Sequence, residues 1–299
     1  MTARITLALL FIVPAAMAYP WSSTVDWWLL GTAVTAVIVL FAWWRGAFVT
    51  DLVGRRIALW RRNRRKDSGH GAQQGPTRTT ALLQTDAGEP TELPLPLIVS
   101  YLDRYGISAA SVRITSGGGA TWIGLTLDAA ENLAALQARS PQIPLRETAE
   151  ITARRLADHL RETGVAVTMV DGVDGPAPRS GKETWRGMRD ESGYVAAYRV
   201  DATDRLAETL AEIRGYPSND TWTAIEFSGS PKDPKIAVGC SFRTNDKPTA
   251  GAPLPGLTPH SGRHRPALQA LSPRSVYPLE GGAVPVPDGL VEQPQLSRT

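Results

Sequence analysis

Cysteine and histidine are scarce in this 299-residue sequence, and both scarcities exclude kinds of site. The single cysteine, Cys240, excludes an intrachain disulfide framework and any zinc or iron–sulfur site built from several cysteines. Four histidines, His70, His159, His260 and His264, leave few ligands for a metal. The ordinary hydrophobic fraction of 42% excludes a wholly disordered, collagenous or coiled-coil chain, and the length allows one or two domains.

Acidic residues are nearly missing from the first 66 positions, which hold nine Lys and Arg against two Asp and Glu, a net charge of +7. Because the whole chain carries +3, residues 67–299 carry −4. A nucleic-acid-binding fold would carry its basic patch on the folded domain, so this asymmetry argues against that class. It indicates a membrane anchor followed by a soluble body.

Two long uncharged runs in that basic region predict membrane helices. Residues 5–25 and 27–44 contain 21 and 18 residues, which as helices would span about 27–32 Å, close to the hydrocarbon thickness of a bilayer. We therefore expect two transmembrane helices within residues 1–44. The alternative is a signal peptide cleaved after Ala16-Met17-Ala18. Tryptophans, which favour the headgroup boundary, bracket the second run and are the expected membrane anchors: Trp27, Trp28, Trp43 and Trp44.

The basic residues that follow the second run predict the orientation of the chain. The loop between the two runs carries no positive charge, so the positive-inside rule places the basic flank, both termini and the soluble body in the cytoplasm. The expected location is the inner membrane, crossed twice, with the basic flank near the lipid of the inner leaflet. The residues expected to supply this charge are Arg45, Arg55, Arg56, Arg61, Arg62, Arg64, Arg65 and Lys66.

Residues 45–66 predict a basic amphipathic helix. Its apolar stripe could lie on the inner membrane surface, could continue the second membrane helix and pack against a partner helix, or could be part of a topology signal alone. The stripe consists of Phe48, Leu52, Val53, Ile57 and Trp60. Small residues in the second membrane run would allow a partner helix to approach closely. The residues expected to pack against a partner are therefore Gly31, Ala36, Phe48, Leu52 and Trp60.

The rest of the sequence predicts a linker, a folded domain and a tail. Residues 67–80 are rich in Gly, Gln, Ser and Pro and predict a flexible linker, whereas residues 81–245 predict a cytoplasmic α+β sandwich in which helices cover a mixed sheet. The Pro- and Gly-rich tail, residues 246–299, either wraps the domain or is partly disordered. Strands are expected at 81–85, 112–115, 121–127, 165–170, 194–200, 221–227 and 235–242, and helices at 95–105, 129–139, 145–162 and 204–214.

The glycine-rich and acidic motifs of this body have structural explanations. Gly117–Gly119 leads into a strand and has no Lys after it, which favours a hairpin turn over a phosphate-binding loop. The carboxylate pairs Asp171/Asp174 and Asp201/Asp204 lie in a loop and at a helix start, where Asp favours turns and N-caps. Neither motif predicts a catalytic or metal-binding site.

The histidines and the cysteine are equally weak candidates for chemistry. His159 lies on a charged helix face and predicts a surface or interface residue. His260 and His264 lie in the loop sequence HSGRHR, where Ser-Gly disfavours the helix that a metal-binding histidine pair would need. Cys240 lies in a predicted strand and predicts a buried apolar side chain. We expect no catalytic residue, cofactor or metal.

Three features occur in a recognisable order: the Trp-flanked helix pair, the Arg-rich IALWRRNRRK at 57–66, and the run that begins TWIGLTLD at Thr121 and ends at Val165. This order resembles EccE, a membrane component of the mycobacterial type VII (ESX) secretion systems, over residues 1–245. The compact length is similar to that of the paralogue tied to siderophore-dependent iron uptake.

The resemblance implies a non-enzymatic structural subunit of an inner-membrane core complex, with EccB, EccD and the EccC ATPase as partners. It also implies a cytoplasmic domain that is similar to a glycosyltransferase fold without its catalytic residues. Two alternatives are a membrane-anchored glycosyltransferase-like enzyme, disfavoured because no acid/base pair is visible, and an inner-leaflet adaptor protein. Neither a nucleic acid nor a small-molecule substrate is expected.

Overall fold

The chain forms two compact units, Met1–Asp67 and Ser68–Thr299, in a computed structural model. The structure describes residues 2–17, 19, 23–41, 43–44, 47–64, 77–85, 93–140, 143–287 and 290.

The N-terminal unit is mainly helical. Helices α1 and α2 contact each other, and the buried Ala15 and Ala33 side chains, 4% and 5% exposed, allow this close approach. The elements in order are α1 (Thr2–Met17), α2 (Thr24–Phe41), β1 (Trp43–Trp44), β2 (Ala47–Phe48) and α3 (Val49–Arg64).

The expectation of two transmembrane helices within residues 1–44 is wrong. Among the described residues, no helix combines the length and the apolarity that a membrane crossing requires. Helix α1 has 16 residues, about 24 Å, and contains Pro14. Helix α2 includes Asp26, and its uncharged part, 27–41, is about 22 Å long. Both are shorter than the hydrocarbon core of about 30 Å. Helix α1 ends at Met17, inside the first uncharged run, and α2 ends at Phe41, inside the second.

The second unit is built around a twelve-stranded sheet. Nine strands follow each other in the order β7-β3-β6-β5-β11-β12-β10-β9-β8, while β4, β13 and β14 pair at its margins. The strands are β3 (Arg78–Thr85), β4 (Asp103–Arg104), β5 (Ile107–Gly117), β6 (Ala120–Asp128), β7 (Val167–Val170), β8 (Lys182–Glu183), β9 (Met188–Asp190), β10 (Gly193–Val200), β11 (Asp220–Ser230), β12 (Asp233–Thr244), β13 (Leu257–Pro259) and β14 (Val284–Pro285). The helices are α4 (Leu95–Ser100), α5 (Leu133–Arg139), α6 (Leu145–Glu162), α7 (Leu206–Gly215) and α8 (His264–Ala270).

The prediction of a mixed sheet is also wrong, because every strand pair that the structure describes is antiparallel. Where helices connect two strands, a third strand separates the strands that they join. Strands β6 and β7 run parallel with β3 between them, and β10 and β11 run parallel with β12 between them. The described residues therefore do not form an open sheet of adjacent parallel strands. Many α/β folds bind nucleotides on a sheet of that kind. The glycosyltransferase-like fold that the resemblance implied receives no support from this architecture.

Local sequence patterns correctly predicted most helices and strands of this unit. Helix α6 spans the residues that its periodicity predicted, and Gly118 and Gly119, with φ of 54° and 79°, form the turn of the β5–β6 hairpin. The helix predicted at 95–105 instead ends at Ser100. Tyr105 and Gly106 both have positive φ, and they turn the chain from β4 into β5.

The two faces of the sheet carry different side chains. The helix face packs against α4, α6 and α7 and is built from large apolar residues such as Ile114, Ile123 and Phe227. The opposite face, here called the tail face, carries small residues such as Ala197, Ala224 and Ala237, which pack against Ala267, Leu268, Ala270, Leu271 and Leu279. The residues that cover this face belong to the C-terminal segment, residues 257–279. This segment therefore packs against the sheet unit.

Candidate functional site

A buried ion pair lies at the centre of the tail face. Arg113 of β5 and Glu226 of β11 are direct neighbours in the strand register, and their side chains are 3% and 5% exposed. Arg113 Nε donates to Glu226 Oε2 at 2.9 Å, and Nη2 donates to the same oxygen. Because desolvating two charges is costly, such a pair is stable only when the remaining donors and acceptors are also satisfied.

The C-terminal segment supplies hydrogen-bond partners for the remaining donors of Arg113 and the remaining acceptor of Glu226. Arg113 Nη1 donates to the carbonyl oxygens of Ala270, Ser272 and Ser275 at 2.6, 3.2 and 3.3 Å, and Nη2 donates to that of Tyr277 at 2.6 Å. The Leu279 amide donates to Glu226 Oε1 at 3.3 Å. We call this set of bonds the clasp. It gives buried carbonyls of an irregular chain the donors that a helix or strand would have supplied.

His264 provides a second anchor for the same segment. Its side chain is fully buried, its Nδ1 accepts a hydrogen bond from the Ala197 amide at 3.1 Å, and its Nε2 lies 3.3 Å from the Trp185 carbonyl oxygen. Burial, with a further contribution from nearby His260, lowers the pKa of the His264 imidazole to about 4. The ring is therefore neutral at physiological pH and acts as a structural bridge between β10 and α8.

An open cleft of about 590 Å³ lies beside the ends of β10 and β12. Its lining includes the buried Tyr198 and Phe242, and the half-buried Tyr216 ring lies 4.5 Å from the Phe242 ring centre. Asn219 donates to Asn245 across the rim at 2.6 Å. Burial raises the pKa of the Tyr198 hydroxyl, so this group stays protonated at neutral pH. The cleft thus combines aromatic and amide groups, which suits binding of an extended segment or side chain.

The acidic motifs that the sequence offered as candidate sites form ion pairs. Asp174 pairs with Arg179 at 2.6 Å, and Asp201 pairs with Arg199 at 3.2 Å. Asp204 does not cap α7, because the N-cap position is Arg205. Among the described residues, no group of three or more His, Cys, Asp or Glu side chains is placed to hold a metal ion.

The predicted positions of His159, His260 and Cys240 agree with the structure, whereas that of His264 needs correction. His159 is half-buried and its Nδ1 lies 2.7 Å from the Tyr101 hydroxyl. Cys240 is fully buried, and burial raises the pKa of its thiol. His260 lies 3.6 Å from Glu280, and His264 is a core residue rather than a loop residue. His70 lies outside the described residues.

The residues predicted to anchor the N-terminal unit are only partly described. Trp27, Trp28 and Trp60 are 61%, 73% and 54% exposed, and an added Cβ at Gly31 would meet nothing within 4 Å. Among the basic residues, Arg56 and Arg61 are exposed and Arg55 is half-buried. Other predicted residues, or their side chains, lie outside the described part of the chain: Ala36, Trp43, Trp44, Arg45, Phe48, Leu52, Arg62, Arg64, Arg65 and Lys66.

The clasp was missed by sequence reasoning although a signal was present. Arg113 lies between the core residues Val112 and Ile114, and Glu226 lies between Ile225 and Phe227. A charge in the middle of a predicted central strand is expensive to bury alone. Two such charges of opposite sign indicate a buried pair.

Comparison with known proteins gives concordant matches. A family model described as a type VII ESX secretion system translocon, EccE, matches residues 116–200. The ESX-3 secretion system protein EccE3 of Mycolicibacterium smegmatis (strain ATCC 700084 / mc(2)155) is 55% identical over 291 residues, which cover 96% of this chain and 93% of that protein. The protein of the same name from Mycobacterium tuberculosis (strain ATCC 25618 / H37Rv) is 48% identical, with 93% of this chain and 87% of that protein covered.

Proposed function

The chain belongs to the EccE family of the type VII (ESX) secretion system, and from this premise we propose that it is a non-enzymatic scaffolding subunit of the secretion complex. The observation that carries the proposal is the match to proteins named as ESX-3 secretion components, which extends over 96% of the chain. The resemblance covers both the N-terminal unit and the sheet unit, so the proposal concerns the whole chain.

Several carboxylates of the sheet unit are bonded to arginines within the same unit, which supports a structural role. Glu226 is bonded to Arg113 and to the Leu279 amide, and Asp128 and Asp190 are each bonded to an arginine at 2.7 Å. Although burial opposes the effect, the hydrogen bonds to these arginines, Arg78 and Arg243, lower the pKa values of the two aspartates. Through these bonds the three carboxylates hold neighbouring strands and loops together. A rigid body of this kind suits an architectural component.

The expected partners are the other subunits of the secretion complex, EccB, EccD and the EccC ATPase. In this proposal the exposed arginines of α3, Arg56 and Arg61, lie near anionic lipid of the inner leaflet, where each basic residue contributes about 1 kcal/mol of attraction. The exposed Ile57 and Trp60 on the same helix would contribute apolar contacts to the lipid or to a partner.

Affinity purification of the tagged full-length chain in mild detergent tests the proposal. We expect recovery of the other secretion subunits in stable proportion. Recovery of the chain alone, together with turnover of sugar nucleotides, would instead favour an enzyme.

A further inference from the structure

An exposed tyrosine with an unusual backbone lies at the turn between β4 and β5. Tyr105 has φ of 57°, and among the described residues it is the one non-glycine with positive φ. Its side chain is 50% exposed. Tyr105 and Gly106 are the two loop residues of the β4–β5 hairpin, and a tight turn of this kind has positive φ at both positions. The turn therefore presents the aromatic ring at the surface.

Two arginines from different elements flank this ring. The guanidinium carbon of Arg104 lies 5.3 Å from the centre of the Tyr105 ring, and that of Arg155, from α6, lies 5.0 Å from it. These are cation–π distances, so the tyrosine holds both guanidinium groups beside one surface. Arg104 is further fixed by donating to the Ser100 hydroxyl at 3.0 Å.

A buried layer below keeps the three side chains in position. Tyr101, 1% exposed, lies edge-on to Tyr105 with ring centres 6.5 Å apart, and its hydroxyl bonds to His159. Burial raises the pKa of the Tyr101 hydroxyl to about 12, so the bond persists through the physiological range. The surface is thus preorganised, which lowers the entropy lost when a partner binds.

The two flanking arginines differ from their neighbours in charge pairing. On the same helix, Arg146 and Arg154 pair with Glu150, and Arg161 pairs with Asp158. Within the part of the chain that the structure describes, neither Arg104 nor Arg155 forms an ion pair with a carboxylate. Two guanidinium groups that lie beside an exposed tyrosine and that pair with no carboxylate among the described residues have the composition of a binding hot spot.

We propose that Arg104, Tyr105 and Arg155 form a docking surface for an acidic segment of a protein partner, whose carboxylates pair with the two guanidinium groups. Two observations favour a protein over a lipid surface. Attraction to an anionic membrane needs a cluster of several basic residues, whereas here two arginines lie beside the exposed Asp103 and Asp158. Ile151, one helical turn before Arg155, is 44% exposed and would supply the apolar contact that a protein partner can match.

The inference rests on the proposed function, because it expects the acidic segment to belong to another secretion subunit. The test places the photo-crosslinking residue p-benzoylphenylalanine at position 105 of the tagged full-length chain in cells, and mass spectrometry identifies the attached peptide. The same probe at Tyr277, which is 49% exposed, is the matched control. We expect a crosslinked peptide rich in Asp or Glu from position 105 and a different product from position 277.

Charge reversal supplies the second arm. The double variant Arg104→Glu/Arg155→Glu should lower the yield of this crosslink by about tenfold or more, because the acidic segment would then face like charges. The control variant Arg146→Glu/Arg154→Glu makes the same charge change at two exposed arginines of α6. It should leave the yield unchanged. Thermal unfolding of both variants establishes that they fold.

The outcomes separate the two proposals. A crosslink to phospholipid, a peptide without acidic residues, no crosslink at position 105, or a yield that charge reversal does not lower would each overturn the docking surface. If the other subunits still co-purify in those cases, the scaffolding function stands without this surface. Recovery of the chain without any other secretion subunit would overturn the scaffolding function itself.

Discussion

The two faces of the same sheet are covered by different kinds of structure. Helices cover the helix face, and because a helix satisfies its own backbone hydrogen bonds, its partner surface can be wholly apolar. The tail face is covered in part by irregular chain, whose carbonyl groups need donors from elsewhere when they are buried. Arg113 supplies those donors, and Glu226 balances its charge. The buried charge pair therefore supplies hydrogen-bond partners to the end of α8 and to the irregular chain after it.

The largest expected effect comes from breaking the clasp. Arg113→Met should lower the free energy of unfolding by about 3–5 kcal/mol, because Glu226 would remain buried without a counter-charge. Urea unfolding of the full chain followed by tryptophan fluorescence measures the loss. Arg146→Met, at an exposed ion pair, is the control and should change the free energy by about 1 kcal/mol or less. The double variant Arg113→Met/Glu226→Met should be more stable than the single one. A loss below that of the control would show that the clasp does not hold the tail face.

A cavity on the helix face should lower the free energy of unfolding by nearly as much, but it should destabilise α6 and not the C-terminal segment. Leu156 is fully buried on α6, and Leu156→Ala should cost about 2–5 kcal/mol through lost contacts and the cavity left behind. Hydrogen exchange distinguishes the two variants. We expect Leu156→Ala to reduce protection mainly in α6, and Arg113→Met to reduce it mainly in α8. Equal losses in both helices would mean that the two coverings unfold as one unit.

Acid should weaken the tail face through His264. Because its pKa is about 4 in the folded chain and 6.5 when unfolded, the unfolded chain binds the extra proton between these values. Stability from this residue is therefore complete above pH 6.5 and is lost as the pH falls towards 4, by on the order of 3 kcal/mol in total. Urea unfolding at pH 7 and pH 4.5 measures how much the free energy of unfolding falls between these pH values. This loss should be smaller in His264→Gln, and an unchanged loss would assign the acid sensitivity to other groups.

The smallest expected effect concerns close backbone approach on the tail face. A Cβ at Gly124 would lie 2.8 Å from the Pro273 carbonyl oxygen, so Gly124→Ala should cost about 1–3 kcal/mol by displacing the C-terminal segment. Gly215, at the end of α7, has nothing within 4 Å of the same position. Gly215→Ala should leave stability unchanged or raise it by up to about 1 kcal/mol. Thermal unfolding compares the stability of the two variants. Equal changes would show that the close approach of the C-terminal segment at Gly124 does not limit the side chain there.

Local sequence patterns determined the elements whose structure depends on neighbouring residues. The apolar periodicity of 145–162 predicted α6, the glycines at 117–119 predicted the β5–β6 hairpin, and the apolar surroundings of Cys240 predicted its burial. The uncharged runs near the N-terminus were misread, because absence of charge does not set where a helix begins and ends. Membership of the EccE family was also readable, from the order of motifs along the chain.

The tertiary structure alone decided which distant residues meet. Arg113 and Glu226 are 113 positions apart, and Arg113 reaches carbonyl groups 157 to 164 positions away. The antiparallel sheet likewise depends on β3 and β12, each of which enters between two strands that a helix connects. Periodicity reports which side of an element is buried, but not which partner buries it. That choice depends on the summed packing and hydrogen bonding of the whole sheet, which include the apolar contacts of α8, the His264 anchor and the clasp.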